Sequence, residues 1–299
     1  TPLTEKVDGI FTGLIAFSRN TDKTDLETAR QLLGGYEIKN YIEGYYILRR
    51  IYGKSHGLKA ENLRNILETI RRSIYSTVTP AFLNYVNNKI NPNNKINTST
   101  ITQEELLELQ VFHWNIDFGY IINNGGFDII IANPPYVRQE GIKEYKRFLD
   151  KHYKIYTSTA DLYTYFYERG IKLLKDQTNL TFISSSKFMR AEYGSYLRNF
   201  LKHNTSILEI IDFGDKHMFK EAIVNTVIII VKKGYTRNNQ IIFNNDIKRE
   251  TNLLLNQDKL EESEWTLEDE NVMELKNKIK NKGTLLIDFN VDINYGLKT

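Results

Sequence analysis

Residues 127–140 read FDIIIANPPYVRQE, an apolar run that stops at two consecutive prolines. Phe127 through Ala132 has the length and the isoleucine content of a buried β-strand. Proline has no N–H for a sheet ladder and fixes its own φ, so Pro134 and Pro135 end that strand abruptly. A chain of 299 residues with five prolines places two of them here, between Asn133 and Tyr136.

Outward from this stretch the same texture repeats. Short apolar runs alternate with helical patterns: ADLYTYFYERGIKLL (160–174), NLTFISS (179–185), YGSYLRNFLKH (193–203), ILEIIDFG (207–214) and NTVIIIVKK (225–233). Apolar strands separated by helices predict an α/β domain, a doubly wound sheet covered on both faces. In such sheets ligands sit beyond the carboxyl ends of the strands, where Pro134 and Pro135 fall.

The flanks read differently. Residues 1 to about 110 are expected to be helical: Thr24-x-x-Glu27 spells a capping box, and LETARQLLGG (26–35) ends in glycines where a helix stops. Leu63, Ile66, Leu67, Ile70, Ile74 and Val78 recur at helical spacing, with Pro80 expected to close that stretch. NNKINPNNKINTST (87–100) reads as a polar loop, and Thr102-x-x-Glu105 opens a short helix through Leu109. Beyond 235, IIF (241–243) reads as one more strand and LEDENVMELKNKIKNKG as a charged helix ending at Gly283. The expected organisation is a helical extension or insertion (1–110), an α/β catalytic half (111–235) and a connection toward another domain (236–299).

Composition narrows the class. The chain is 41% hydrophobic and 26% charged, with no run long and apolar enough to cross a bilayer and no secretory pattern, so an intracellular protein is expected. It has no cysteine, which excludes disulfides and thiolate metal sites. His56, His113, His152, His203 and His217 lack ligand spacing, so no metal is expected. A net charge of +3 does not by itself single out nucleic acid. A first residue Thr1 without Met and a last residue Thr299 suggest a piece of a longer protein.

The Asn-Pro-Pro-Tyr turn has a chemistry of its own. An exocyclic amine such as adenine N6 is a poor nucleophile because its lone pair is delocalised into the ring. Two acceptors on its N–H bonds would draw it toward tetrahedral geometry. The Asn133 side-chain oxygen can be one and the Pro134 carbonyl the other, with the Pro-Pro sequence stiffening that carbonyl's direction. Tyr136 offers a face on which a base can stack for about 1–3 kcal/mol. That is comparable to the few kcal/mol needed to extrude a base from a duplex. The plain alternative is an ordinary turn after a strand.

GGFDIIIANPPYVRQ (125–139) resembles motif IV of the N6-adenine DNA methyltransferases. TADLYTYFYERGIKLLK and NLTFISSSKFMRAEYGSYLRNFL resemble the later catalytic motifs of their gamma class, as in type IIG restriction–modification and related phage-defence enzymes. The resemblance covers about residues 105–233. It implies a class I S-adenosylmethionine-dependent methyltransferase fold and site-specific transfer of a methyl group to a flipped-out adenine of double-stranded DNA, in a bacterial or archaeal cytoplasm. Asn133, Pro134, Pro135 and Tyr136 match the catalytic turn, and Phe219 in KHMFKEAIVNTVIII matches the second aromatic on the flipped base. Phe219 also reads as a core aromatic. Asp117 in FHWNIDF matches a carboxylate at the cofactor's adenine end, or a helix N-cap, and Asp161 in TADLY is a weaker cofactor-pocket match.

Between Arg138 and Lys154 six Lys/Arg face three Asp/Glu among several aromatics, which suits DNA phosphates or a solvated helix face. Lys187 and Arg190 in SSSKFMRAEYG are further DNA-contact candidates. The family's Gly-rich cofactor loop is not found in residues 1–116, and LLGG (32–35) reads as a helix C-cap. The loop is expected upstream of the chain, unless this is a degenerate homologue. NYGLKT (294–299) resembles the entry to a target recognition domain, a partner expected in the same parent chain. A nuclease domain would be another, although no nuclease motif stands out here. Two alternatives stay open: an NPPY methyltransferase acting on RNA or a release-factor glutamine, and a non-catalytic DNA-binding fragment.

Overall fold

The computed structural model describes residues 20–33, 38–89, 112–214, 225–250, 253–265, 267 and 270–284. The chain divides into two compact units, Thr1–Phe127 and Asp128–Thr299, with the division at the first residue of the strand before the Pro-Pro turn.

The first unit is helical. It comprises α1 (Asn20–Leu33), α2 (Ile38–Tyr52), α3 (Gly57–Lys89) and the short α4 (Trp114–Asp117) and α5 (Gly119–Asn123). Leu26, Ala29 and Leu33 of α1, Leu48 and Ile51 of α2, and Leu63, Ile66, Ile70 and Ile74 of α3 form one buried cluster. These are i, i+3, i+4 and i+7 positions, so each helix buries one stripe. Gly119 is set by close approach, because a Cβ there would lie 1.9 Å from the Tyr46 hydroxyl, which donates to the Asn115 carbonyl. Two boundaries differ from expectation. Helix α1 begins at Asn20, ahead of the Thr24 capping-box spelling. Helix α3 does not close at Pro80 but runs through it to Lys89, into the stretch expected as a loop. An interior proline costs about 3 kcal/mol, and carrying the helix on buries Leu83, which returns about 1.5–3 kcal/mol. The expected Thr102–Leu109 helix lies outside the described residues.

The second unit is α/β. A six-stranded sheet has the order β1-β2-β4-β3-β5-β6, with β1 (Phe127–Ala132), β2 (Leu174–Ser185), β3 (Thr205–Asp212), β4 (Thr226–Lys233), β5 (Gln240–Asn244) and β6 (Leu253–Asn256). Strand β4 pairs antiparallel with both β2 and β3, β3 pairs parallel with β5, and β5 pairs antiparallel with β6, so the sheet is mixed. The register aligns Phe182, Ile229, Ile210 and Phe243 across neighbouring strands. That row belongs to the face on which α6 (Lys146–His152), α7 (Leu162–Leu173) and α8 (Ser195–Asn204) pack through Leu149, Tyr163, Tyr167, Ile171, Leu197 and Leu201. Strand β6 was not expected from its sequence. Helix α9 (Glu270–Lys282) stops where expected, with the Gly283 N–H bonded to the Ile279 carbonyl at 2.7 Å.

Among the described residues the face opposite these helices is covered at β3, where Glu209 and Ile211 are buried, and open toward the outer strands. Ile129 and Ile131 of β1 are 63% and 75% exposed, and Ile242 and Leu254 are also exposed. Side chains alternate along a strand, so these lie opposite the core face that Ile130, Ile241 and Leu255 serve. An all-apolar run records a need for cover on both sides without naming what supplies it. Among the described residues no helix is long and apolar enough to cross a membrane.

Two buried polar residues stitch the unit together. The Gln257 amide donates to the carbonyls of Lys202 and Thr205 at 2.8 and 2.7 Å and accepts from the Ile207 N–H at 2.7 Å, tying the α8–β3 junction to the end of β6. The Arg198 guanidinium, 1% exposed, donates to the carbonyls of Phe188 (2.6 Å), Ala191 (2.7 Å), Glu262 (3.0 Å) and Ser263. Arg198→Ala would orphan these four acceptors, each worth about 1–3 kcal/mol if left dry. Equilibrium urea unfolding is expected to show a loss of at least about 3 kcal/mol; a loss within about 0.5 kcal/mol, as at an ordinary surface site, would contradict this reading.

Candidate active site at the Asn-Pro-Pro-Tyr turn

Strand β1 delivers the turn. Gly125 and Gly126 bring the chain in at φ values of 97° and 116°, which a side chain would strain, and Ile130 and Ala132 then pack on the core. At the strand's carboxyl end Asn133 and Pro135 are exposed, Pro134 is buried and Tyr136 is half-buried. No peptide bond is cis among the described residues, so the Pro-Pro step is made in the trans form. The turn thus presents an amide side chain to solvent from a backbone pinned at Pro134.

The exit from the turn is fastened to the start of α7. The Leu162 N–H donates to the Val137 carbonyl at 2.9 Å, and the Gln139 N–H donates to Asp161 Oδ1 at 3.0 Å. Lys146 Nζ reaches both Gln139 Oε1 and the Ser158 carbonyl, each at 2.6 Å. Deeper in the same loop, the Ile155 N–H donates to buried Glu168 at 3.1 Å, with Lys172 paired to the same carboxylate. Burial pushes the Asp161 carboxyl above its ordinary range, opposed by the Gln139 N–H and then by the positive charge of Lys187, while Glu140 adds to the rise and Arg138 opposes it. Arg138, Glu140 and Lys187 therefore stand close enough to act on the Asp161 carboxylate beside the turn.

Behind Tyr136 lies an aromatic layer. The Tyr136 and Tyr163 rings are 6.4 Å apart, the Tyr163 and Tyr193 hydroxyls share a hydrogen bond of 3.1 Å, and Tyr163 and Tyr167 both pack on Phe188. Tyr167 bonds Ser184 Oγ at 2.7 Å at the carboxyl end of β2. The Tyr136 hydroxyl, in contrast, is buried without a hydrogen-bond partner, and burial raises its pKa. A free, desolvated hydroxyl at the mouth of a site can accept or donate to a ligand at little further cost.

The loop carrying Lys187 and Arg190 is built to hold its shape. Both side chains are exposed, while Phe188 and Met189 between them are buried. Gly194 folds back so closely that a Cβ would fall 2.0 Å from the Phe188 carbonyl oxygen, and Arg198 clamps the loop from below. Of the six basic residues between 138 and 154, Arg138, Lys143, Arg147, Lys151 and Lys154 are exposed, and Lys146 is spent on the loop.

The structure thus brings Tyr136, Arg138, Asp161 and Lys187 together around the turn. Phe219 lies outside the described residues. Asp117 belongs to the helical unit, where it ends α4 and so is not an N-cap; it pairs with Arg71 Nε at 2.7 Å and accepts from Tyr75 Oη. Tyr163, Tyr193, Lys146 and Arg198 were not singled out from the sequence. The tyrosines at 163 and 167 share a helical face, and an arginine beside the Leu197/Leu201 stripe was the other available signal.

A model of the family described as Eco57I restriction-modification methylase matches residues 49–219, more than half of the chain. The chain belongs to the Eco57I restriction-modification methylase family. A Methanocaldococcus jannaschii protein assigned as a type II restriction enzyme and methyltransferase is 37% identical over 234 residues, 75% of this chain and 19% of the relative. The Escherichia coli type II restriction enzyme and methyltransferase RM.Eco57I is 26% identical over 235 residues, 74% of this chain and 22% of the relative. The Geobacillus stearothermophilus type II methyltransferase M.BstVI is 34% identical over 116 residues, 37% of this chain and 20% of the relative. The chain therefore spans about a fifth of the length of these relatives.

The candidate polar groups gather at the turn, and no strand-to-helix loop with a positive-φ glycine is found among the described residues. None of the positive-φ glycines, Gly57, Gly125, Gly126, Gly214 and Gly234, both follows a strand and opens a helix among the described residues. The Asp117 carboxylate is taken by Arg71 and Tyr75, and one oxygen of Asp161 by a backbone N–H.

Two measurements check this geometry. Tyr136→Phe removes a buried hydroxyl that has no partner, so the thermal midpoint is expected to hold or rise by about 1 kcal/mol equivalent, and a clear fall would refute the orphaned hydroxyl. Burial depresses the His113 pKa, helped by Arg71 and opposed by Asp117. The unfolded chain then binds a proton near pH 6.5 that the folded one resists, so stability is present above that pH and falls as pH drops below it. The midpoint of the wild type is expected to fall more than that of His113→Gln between about pH 7.5 and 5.5; parallel curves would dismiss His113 as the cause.

Proposed function

We propose that the protein methylates N6 of an adenine extruded from double-stranded DNA, with S-adenosylmethionine as the methyl donor, within a restriction–modification enzyme. The observation that carries this reading is the turn at the end of β1. Asn133 stands exposed beside a buried Pro134, and Tyr136 lies against a tyrosine layer with its hydroxyl free. Family membership supports the class of reaction.

On this reading the Asn133 amide oxygen and the Pro134 carbonyl accept the two N6 hydrogens and hold the lone pair toward the incoming methyl group. Tyr136 stacks on the base, and Phe219 is assigned to its other face. Asp161 holds the turn through Gln139. Arg138, Lys187 and Arg190 take phosphates, whose neutralisation dominates affinity for DNA. Asp117 is assigned the support of α4 in place of a cofactor contact. Target recognition and nuclease domains are proposed as partners in the same polypeptide, in keeping with relatives described as both restriction enzyme and methyltransferase.

The test is the nucleoside content of plasmid DNA incubated with the protein and S-adenosylmethionine. N6-methyladenine is expected, and Asn133→Ala should lower its rate of formation by about 10²–10³, the cost of losing one placed polar group in a site of this kind. Tyr136→Ala should cost about ten- to a hundredfold through lost stacking, with Tyr136→Phe well above it. Methylation of another base, of RNA or of a release-factor glutamine, with adenine untouched, would sink the proposal.

A further inference from the structure

The helical unit holds a cleft that the methyl-acceptor site does not use. One cavity of about 330 Å³ is lined by Arg49, Arg64, Arg71, Tyr52, Phe112 and Phe118, and an adjoining one of about 440 Å³ shares Arg49, Tyr52 and Phe118 and adds Arg50 and Lys54. Both lie within the range of built ligand sites. Among the described residues the carboxylates on either lining are Glu68 and Asp117. Glu68 is paired with Arg72 at 3.1 Å, and Asp117 is paired with Arg71 at 2.7 Å and with Tyr75. Arg50 is held by Asp25.

That leaves cations in excess. Among the described residues Arg64 hydrogen-bonds the Tyr52 hydroxyl, at 3.3 and 3.4 Å, and feels the charge of Glu61. Arg49 is a half-buried residue that lines both cavities, and its side chain has no ion pair or hydrogen bond among the described residues; Lys54 beside it has no side-chain partner among them either. A partly desolvated guanidinium without a counter-charge is unfavourable until an anion arrives. The rings set what kind of anion. Phe112 is 45% exposed, with the Trp114 and Phe118 rings 4.9 and 5.8 Å away, and Tyr52 and Phe118 line both cavities. A planar base on the rings with its phosphate on Arg49 and Arg64 satisfies both halves of the cleft.

We infer that the cleft between α2, α3 and α4 binds a nucleotide, phosphate on Arg49 and Arg64 and base against Phe112 and Tyr52, independently of the Asn133 site. The same chemistry comes from a single-stranded stretch of nucleic acid or from a free nucleotide. A fluorescein-labelled single-stranded oligodeoxynucleotide titrated into the protein, read by anisotropy, separates these. Arg49→Ala and Arg64→Ala, the second at an exposed position that leaves the fold intact, should each weaken binding about tenfold and lower the salt slope by about one. Arg237→Ala, an exposed charge of the other unit, serves as the matched control and should change little. Competition by dAMP would assign the cleft to a free nucleotide, and binding that dAMP does not displace would assign it to a strand. Arg49→Ala and Arg64→Ala that keep a wild-type thermal midpoint and bind no more weakly than Arg237→Ala would overturn the inference. Because the readout is binding without methyl donor, its failure leaves the methylation reading untouched, and the reverse holds too.

Discussion

Two hydrogen bonds across the start of α7 govern the geometry of the candidate site: Leu162 N–H to the Val137 carbonyl, and Gln139 N–H to Asp161. A Pro-Pro step stiffens a backbone locally, yet it does not decide where the chain goes next. These two bonds do. They hold residues 137–139 to a helix whose buried face, through Tyr163, Tyr167 and Ile171, is part of the unit's core. Any shift of the turn must therefore move α7, and α7 cannot move without opening that core. The backbone that follows Asn133 is in this way fastened to a packed helix.

The second support is the Arg198 clamp. A guanidinium has five donors and no acceptor, so a pocket of carbonyls satisfies it without a counter-charge. Arg198 joins the 186–194 loop to residues 262–263, and Trp265 adds a backbone bond from its N–H to the Met189 carbonyl at 2.8 Å. The exposed Lys187 and Arg190 thus stand on a braced ledge. Burial presses the Arg198 pKa down, opposed by the nearby charge of Glu264, while four carbonyls accept from its guanidinium.

The helical unit follows a different economy. Its core is a plain interlock of leucine and isoleucine stripes, while its polar interest collects around Asp117, Arg71 and Tyr75. The Arg71 guanidinium also lies 4.3 Å over the Tyr75 ring, so charge, hydrogen bond and ring contact reinforce one another. With Asp117 consumed there, the neighbouring cleft is left positive.

By itself the sequence determined the local units: a strand ending at Ala132 before a Pro-Pro turn, helices at their apolar spacing and the α/β grammar. These are legible because period, proline chemistry and strand length act within a few residues of one another. It did not disclose that α3 passes through Pro80, since the burial of Leu83 that offsets the proline is a tertiary quantity. Strand β6 was missed because LLLN is too short to show a period and is ordered by pairing with β5. The placement of β4 between β2 and β3, the commitment of Asp117 to Arg71, and the four carbonyls on Arg198 belong to the tertiary structure alone. These contacts reach across as many as 65 positions, and a residue's type states what bonds it can make without stating which partner will stand within reach.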